Sequence, residues 1–153
     1  MPRQDLALLI LRLTGIYLAW GHGVGKIQRL LAGEGGGFID AVGGMGFPAP
    51  VVFAWLSAIG ETAGFLVALG LLTRVSAVLG GGSVLVGAFL RHQAHLQLLG
   101  ALGLKEIPPE TLKGWGSPEL ALLYLICMIT IVILGPGRYA LDALLWRRRG
   151  AQK

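Results

Sequence analysis

Charge is scarce in this chain, with 14% of residues being Asp, Glu, Lys or Arg against 54% hydrophobic. Cysteine is nearly absent. The one thiol, Cys127, lies inside an apolar run, so no intramolecular disulfide can form and a two-thiol mechanism within the chain is excluded. A lone cysteine in such a setting reads as a small packing residue. The sequence also lacks a P-loop, a GxGxxG following a strand, a CxxC pair and an HExxH helix, which removes the usual sequence grounds for a nucleotide, dinucleotide, dithiol or zinc-protease site. No repeat of a solenoid or array is present.

What is there is apolar length. A composition this hydrophobic excludes an ordinary soluble domain, and 153 residues suffice for one compact all-α integral membrane domain, residues 1–153. The net charge of +5 would suggest nucleic acid in a soluble protein. Here the basic residues collect at helix ends and in the tail, which reads as topology and contact with membrane lipids, and no nucleic-acid partner is expected.

Four runs have about the length needed to cross the hydrocarbon, roughly 20 residues at 1.5 Å each. They are 6–27, 51–72, 75–95 and 118–135. Arg12 interrupts the first run and no small-x-small cleavage site follows, so this run is expected to stay as a helix rather than leave as a signal peptide. Between the first two runs, glycines forbid one regular helix while Phe38, Ile39, Val42, Met45 and Phe47 are too apolar for a solvated linker. A short interfacial helix around Phe38 to Gly43 is the expectation for this outer loop. Leu71 to Arg74 forms a tight turn, and the segment from Arg138 to Arg149 reads as an amphipathic tail along the interface.

An even number of spans places both termini on one side. Arg3, Arg74, Arg138, Arg147, Arg148, Arg149 and Lys153 outnumber Lys26, Arg29, Arg91, Lys105 and Lys113, so the termini are expected in the cytoplasm, with the protein multi-pass in the inner membrane.

The first run carries Arg12, Trp20, His22 and Lys26 within or at the edge of the bilayer. Ionisable groups there need partners and point to function by default. Counting rise per residue puts Arg12 and Glu61 within side-chain reach, an expected buried pair. His22 and Lys26 share a face at i,i+4, and His92 on the third run falls near the depth of His22. Three readings fit. A quinone pocket would use His22 or Lys26 on a carbonyl, Trp20 and Trp55 beside the ring and Glu61 for protons. Haem or a metal would use His22 with His92 or His95. The third reading makes these residues an interfacial belt.

Several ordered motifs resemble one family. Leu11-Arg12 leads to His22-Gly23-x-x-Lys26, then to Phe47-Pro48-Ala49-Pro50 and to a span holding Glu61-x-x-Gly64 and Gly70-Leu71-Leu72-Thr73-Arg74. Glu119-Leu120-Ala121-Leu122-Leu123 and Gly135-Pro136-Gly137-Arg138-Tyr139-x-Leu141-Asp142 follow. Together they resemble the DoxX family of small bacterial and archaeal membrane proteins. The resemblance implies a four-helix membrane bundle and singles out Arg12, His22, Lys26, Glu61 and Arg74. Some relatives are small subunits of thiosulfate:quinone oxidoreductase, and others accompany systems that handle thiols, catechols or oxidative stress.

The expectation is therefore a membrane component of a redox system, an oxidoreductase subunit with quinone as its cofactor. Glu61 and His22 would be its catalytic residues, and Arg12, Trp20, Lys26, Trp55 and His92 would line its binding site. A soluble or membrane redox partner, or a second copy of the chain, would complete it. The alternative is a non-catalytic anchor or assembly partner of a redox or stress-response complex.

Overall fold

A computed structural model describes the backbone of residues 2–150 and the side chains of residues 3–146. The side chains of Arg147, Arg148 and Arg149, and the whole of Lys153, lie outside the described residues. The described chain is all helical.

Helix α1 (Pro2–Leu18) runs through a π turn (Ala19–Gly23) into α2 (Val24–Leu31), one continuous rod that is longer at both ends than the apolar run suggests. After α3 (Gly36–Gly44) come α4 (Pro50–Thr62) and α5 (Gly64–Leu69), then α6 (Thr73–Val86), which ends in a second π turn (Gly87–Arg91). The remainder is α7 (Ala94–Ala101), α8 (Pro109–Trp115), α9 (Glu119–Leu134) and α10 (Leu141–Gly150). Pro50 sits in the first turn of α4, where its missing N–H breaks no helical bond.

Three stretches are long and apolar enough to cross a membrane, Arg3–Leu31, Pro50–Leu69 and Thr73–Arg91. A fourth exists if α8 and α9, bent by 47° to each other, make one crossing. At 16 residues α9 alone is about 24 Å long, shorter than a hydrocarbon core of about 30 Å. Helices α7 and α8 lie almost wholly between the third and fourth apolar runs.

The core is formed where α6 packs on α4 and α9, and where α1 packs on α5 and α9. Leu18, Val67, Ala77, Val84, Tyr124, Met128 and Ile131 fill it. Most large apolar side chains face outward instead, among them Ile10, Leu56, Val75, Val78, Ile126 and Ile133, as in a protein whose solvent is lipid. Without a hydrophobic driving force between helices, close backbone contact has to supply the packing. Gly15 and Gly64 meet face to face, each lying against the other's carbonyl, and Gly60 meets the Leu79 carbonyl. A side chain at any of these would push two helices apart.

Candidate functional site

The sequence motifs separate into two places. At the end of the molecule that carries the chain termini, the Gly135–Asp142 segment folds back over the starts of α1 and α6. Asp5 accepts the Arg138 backbone N–H at 2.9 Å. Asp142 accepts from the Leu72 N–H, the Thr73 N–H and the Thr73 hydroxyl at 2.7–2.8 Å, capping α6, while its own N–H donates to the Gly70 carbonyl. Leu72 has φ +48°, a left-handed conformation that a bulky residue adopts only when its surroundings impose it. Here its N–H is held by the Asp142 carboxylate.

Arg12 belongs to this clasp. It is wholly buried and donates to the Tyr139 carbonyl at 2.8 Å, with Asp142 as its nearby countercharge. Gly70, at φ +70°, lies against the guanidinium so closely that no side chain could stand there. The expected Arg12–Glu61 pair is not formed. Arg74 lies beside Gly135 at this same end.

Burial of Asp142 raises its pKa, but the hydrogen bonds from Thr73 and Leu72 and the charge of Arg12 outweigh that, so the carboxyl stays below its ordinary value.

The second place is a cavity of about 660 Å³ between α2, α3, α4, α6 and α9. Its wall is mostly apolar, with Phe38, Val42, Met45, Phe47, Phe53, Leu56, Val78, Leu79, Leu120 and Tyr124. The Phe47 and Phe53 rings lie with centroids 4.4 Å apart, tilted by 31° to each other. Gly82 and Gly87 line it too, and a Cβ added at either would meet nothing within 4 Å.

One polar cluster breaks this wall. Lys26 Nζ donates to Glu61 Oε1 at 2.6 Å and to Ser57 Oγ at 3.4 Å, and stands 4.8 Å from the centre of the Phe38 ring. Ser83 Oγ donates to the same Glu61 Oε1 at 3.0 Å, and the two serine hydroxyls are 2.8 Å apart. The Glu61 side chain is 8% exposed, and its Oε2 is buried with no hydrogen-bond partner. Two nitrogens of Arg12, which does not line the cavity, are buried in the same way.

His22 and His92 also line this cavity. His22, on the first π turn, presents its ring edge to Tyr124 at 6.0 Å between centroids. His92 Nδ1 lies 2.6 Å from the Trp115 carbonyl, and since a carbonyl only accepts, that nitrogen carries the proton. His95 stacks on Phe89. Among the described residues no three or more His, Cys, Asp or Glu side chains gather as a metal would require. Trp20, 72% exposed, and the half-buried Trp55 do not line the cavity; Phe38, Phe47, Phe53 and Tyr124 supply its rings.

Of the residues singled out from sequence, the structure thus brings together Lys26, Glu61, His22 and His92, and takes Arg12, Trp20 and Trp55 elsewhere. Sequence reading did not place Ser57, Ser83, Phe38 or Tyr124 in a site. Ser57 carried a usable signal, since it stands four residues before Glu61 in an apolar helix and so shares its face.

No curated protein and no solved structure matches this chain. Residues 7–93 match the family DoxX, more than half of the sequence, and they hold Arg12, the cavity's polar cluster and the Gly70–Arg74 turn. With several apolar helices of spanning length, this is a multi-pass membrane protein, and the chain belongs to the DoxX family.

Proposed function

We propose that this protein is the membrane component of a redox system and binds a quinone in the cavity between α2, α4 and α6. The observation that carries this reading is the Lys26–Glu61 pair, joined by Ser57 and Ser83, set in the wall of a mostly apolar 660 Å³ space. Ligand sites of this kind are concave, apolar and furnished with a few convergent polar groups. A quinone ring has the matching chemistry, flat and apolar with polar atoms at its ends.

When bound, the quinone supplies two-electron chemistry with the gain or loss of two protons. The protein's part is to hold the ring between Phe38, Phe47, Phe53 and Tyr124 and to present His22 and the paired Lys26 and Glu61 on the cavity wall. Haem has less support, because His92 is engaged by Trp115, His95 stacks on Phe89 and His22 packs on Tyr124.

The surrounding architecture in this reading is a four-helix bundle, with α8 and α9 together as the fourth crossing. Helix α3 lies at the membrane interface over the cavity, and α10 lies along the opposite face with Leu144, Leu145 and Trp146 in the lipid. The distribution of Lys and Arg supports termini on the cytoplasmic side of the inner membrane. In this reading a redox partner supplies the electrons.

The test is equilibrium binding of a short-chain benzoquinone couple to the purified protein in lipid nanodiscs. Saturable binding, weakened by Glu61→Gln and by His22→Ala, is expected. No binding of either member of the couple contradicts the reading, and capture of a stoichiometric partner indifferent to both substitutions would instead favour a non-catalytic anchor.

A further inference from the structure

We propose that the ligand of the cavity is an organic anion, a quinone-like ring bearing an ionised oxygen, whose charge is met by Arg91 at the opening. This rests on the quinone-cavity reading and goes past it to the charge of the ligand.

The cavity wall has a surplus of positive charge. Among the described residues that line it, Lys26 and Arg91 are cationic and Glu61 is the single carboxylate. Lys26 and Glu61 offset each other at 2.6 Å, which leaves Arg91 as the surplus. Among the described residues no carboxylate pairs with Arg91. Its Nη1 donates to the Gly114 carbonyl at 3.1 Å, a neutral partner that anchors the guanidinium and leaves its charge uncompensated. A guanidinium has five N–H donors, so most of them stay free for a ligand.

The neighbouring groups do not supply the missing negative charge. His92 gives its Nδ1–H to the Trp115 carbonyl, and a neutral ring then offers an acceptor at Nε2 but no charge. Ser117 Oγ accepts the Glu119 N–H at 3.3 Å and keeps its own hydrogen for an acceptor. Glu61 Oε1 already accepts from Lys26 and Ser83, and Oε2 is buried. An anion rich in acceptor oxygens fits this wall, and its ring fits the apolar remainder.

Backbone geometry singles out the same place. Both π turns among the described residues border the cavity, the first through His22 and the second through Gly87 and Arg91. Such turns hold an extra residue, shift the side chains that follow and gather at functional sites. Arg91 is exposed, which puts it at the opening, where water and salt reduce the attraction without removing it.

A pair of ligands differing only in charge decides this on the unaltered protein, so the result does not hang on a variant that fails to fold. A hydroxynaphthoquinone with an octyl chain, ionised at neutral pH, and its uncharged methyl ether are titrated against the protein in phosphatidylcholine nanodiscs, with empty nanodiscs subtracted. The anion should bind about tenfold tighter than the ether. In Arg91→Gln the difference should shrink to about twofold or less while the affinity for the ether holds, which a merely structural loss would not produce. Equal affinities, or a tighter ether, leave Arg91 to the lipid headgroups and overturn the inference. A preference that persists in Arg91→Gln overturns it too, and in each case the cavity stands as a site for neutral quinones. Failure of both compounds to bind overturns both readings.

Discussion

Lys26 and Glu61, 35 positions apart, meet at 2.6 Å because their side chains lean toward each other. Helical side chains tilt toward the N-terminus of their own helix. The first rod and α4 run in opposite senses, so Lys26 leans back toward the middle of the membrane and Glu61 leans out toward the loop end. Arg12, on the same rod as Lys26, leans the same way, which takes it away from Glu61 toward the terminal end, and it finds Tyr139 and Asp142 there. Direction, more than depth, decides the pairing.

Removing one member of this pair should be worse than removing both. Lys26→Met leaves a carboxylate buried without a countercharge, a loss of about 3 kcal/mol, at the low end for buried pairs because the Lys26 side chain is 26% exposed. Adding Glu61→Gln should recover part of it. Thermal unfolding in detergent checks this, and a double variant no more stable than Lys26→Met would contradict it.

The terminal-end clasp depends on there being no side chain at Gly70. Gly70→Ala places a methyl against the Arg12 guanidinium at a left-handed φ of +70°, and both the contact and the backbone oppose it. A drop in stability of about 2 kcal/mol or more is expected, against a change of about 0.5 kcal/mol or less for Gly36→Ala, where an added Cβ meets nothing within 4 Å. Paired denaturation curves give the comparison.

Asp142 makes stability depend on acid. Its pKa is held below the ordinary value near 3.8, so the folded state binds the proton less readily than the unfolded chain does. The stabilisation is complete above about pH 4 and is lost as pH falls through the depressed folded value. Asp142→Asn should lower stability at neutral pH and flatten the acid limb of the stability profile; unchanged acid sensitivity in that variant would contradict the clasp.

Cavity volume can be altered without touching the polar cluster. Gly82 lines the open space, and Gly82→Leu should fold with nearly unchanged stability while ligand affinity falls by about tenfold or more. Retained affinity, read by the same titration, would place the ligand elsewhere.

The first three spans were legible because apolar runs of this length have few alternatives, and the Phe38 helix because glycines bounded an apolar stretch, whereas the run 118–135 yields a helix of spanning length only if α8 is counted with it. The site was half legible. Lys26, Glu61, His22 and His92 stood out as polar residues in apolar helices, and all four line the cavity. Their partners did not stand out, because depth counted from the start of an apolar run ignores both side-chain tilt and the extra length of a rod that extends from Pro2 to Leu31. The π turn at Ala19–Gly23 also changes which residues share a face, and nothing in AWGHG announces it. Trp20 and Trp55 drew notice as aromatic residues near the charges, yet aromatic rings at membrane depth face lipid as readily as a pocket. The rings that line the cavity come from α3, the loop after it, α4 and α9, which only the fold brings near.

The most direct test of the central claim is photoaffinity labelling with an azido-benzoquinone in nanodiscs, followed by mapping of the labelled peptides. The account places saturable label on the segments 38–57 and 78–87 that line the cavity, competed away by unlabelled hydroquinone and reduced in Gly82→Leu. Label confined to other segments, or label that no ligand displaces, would contradict it.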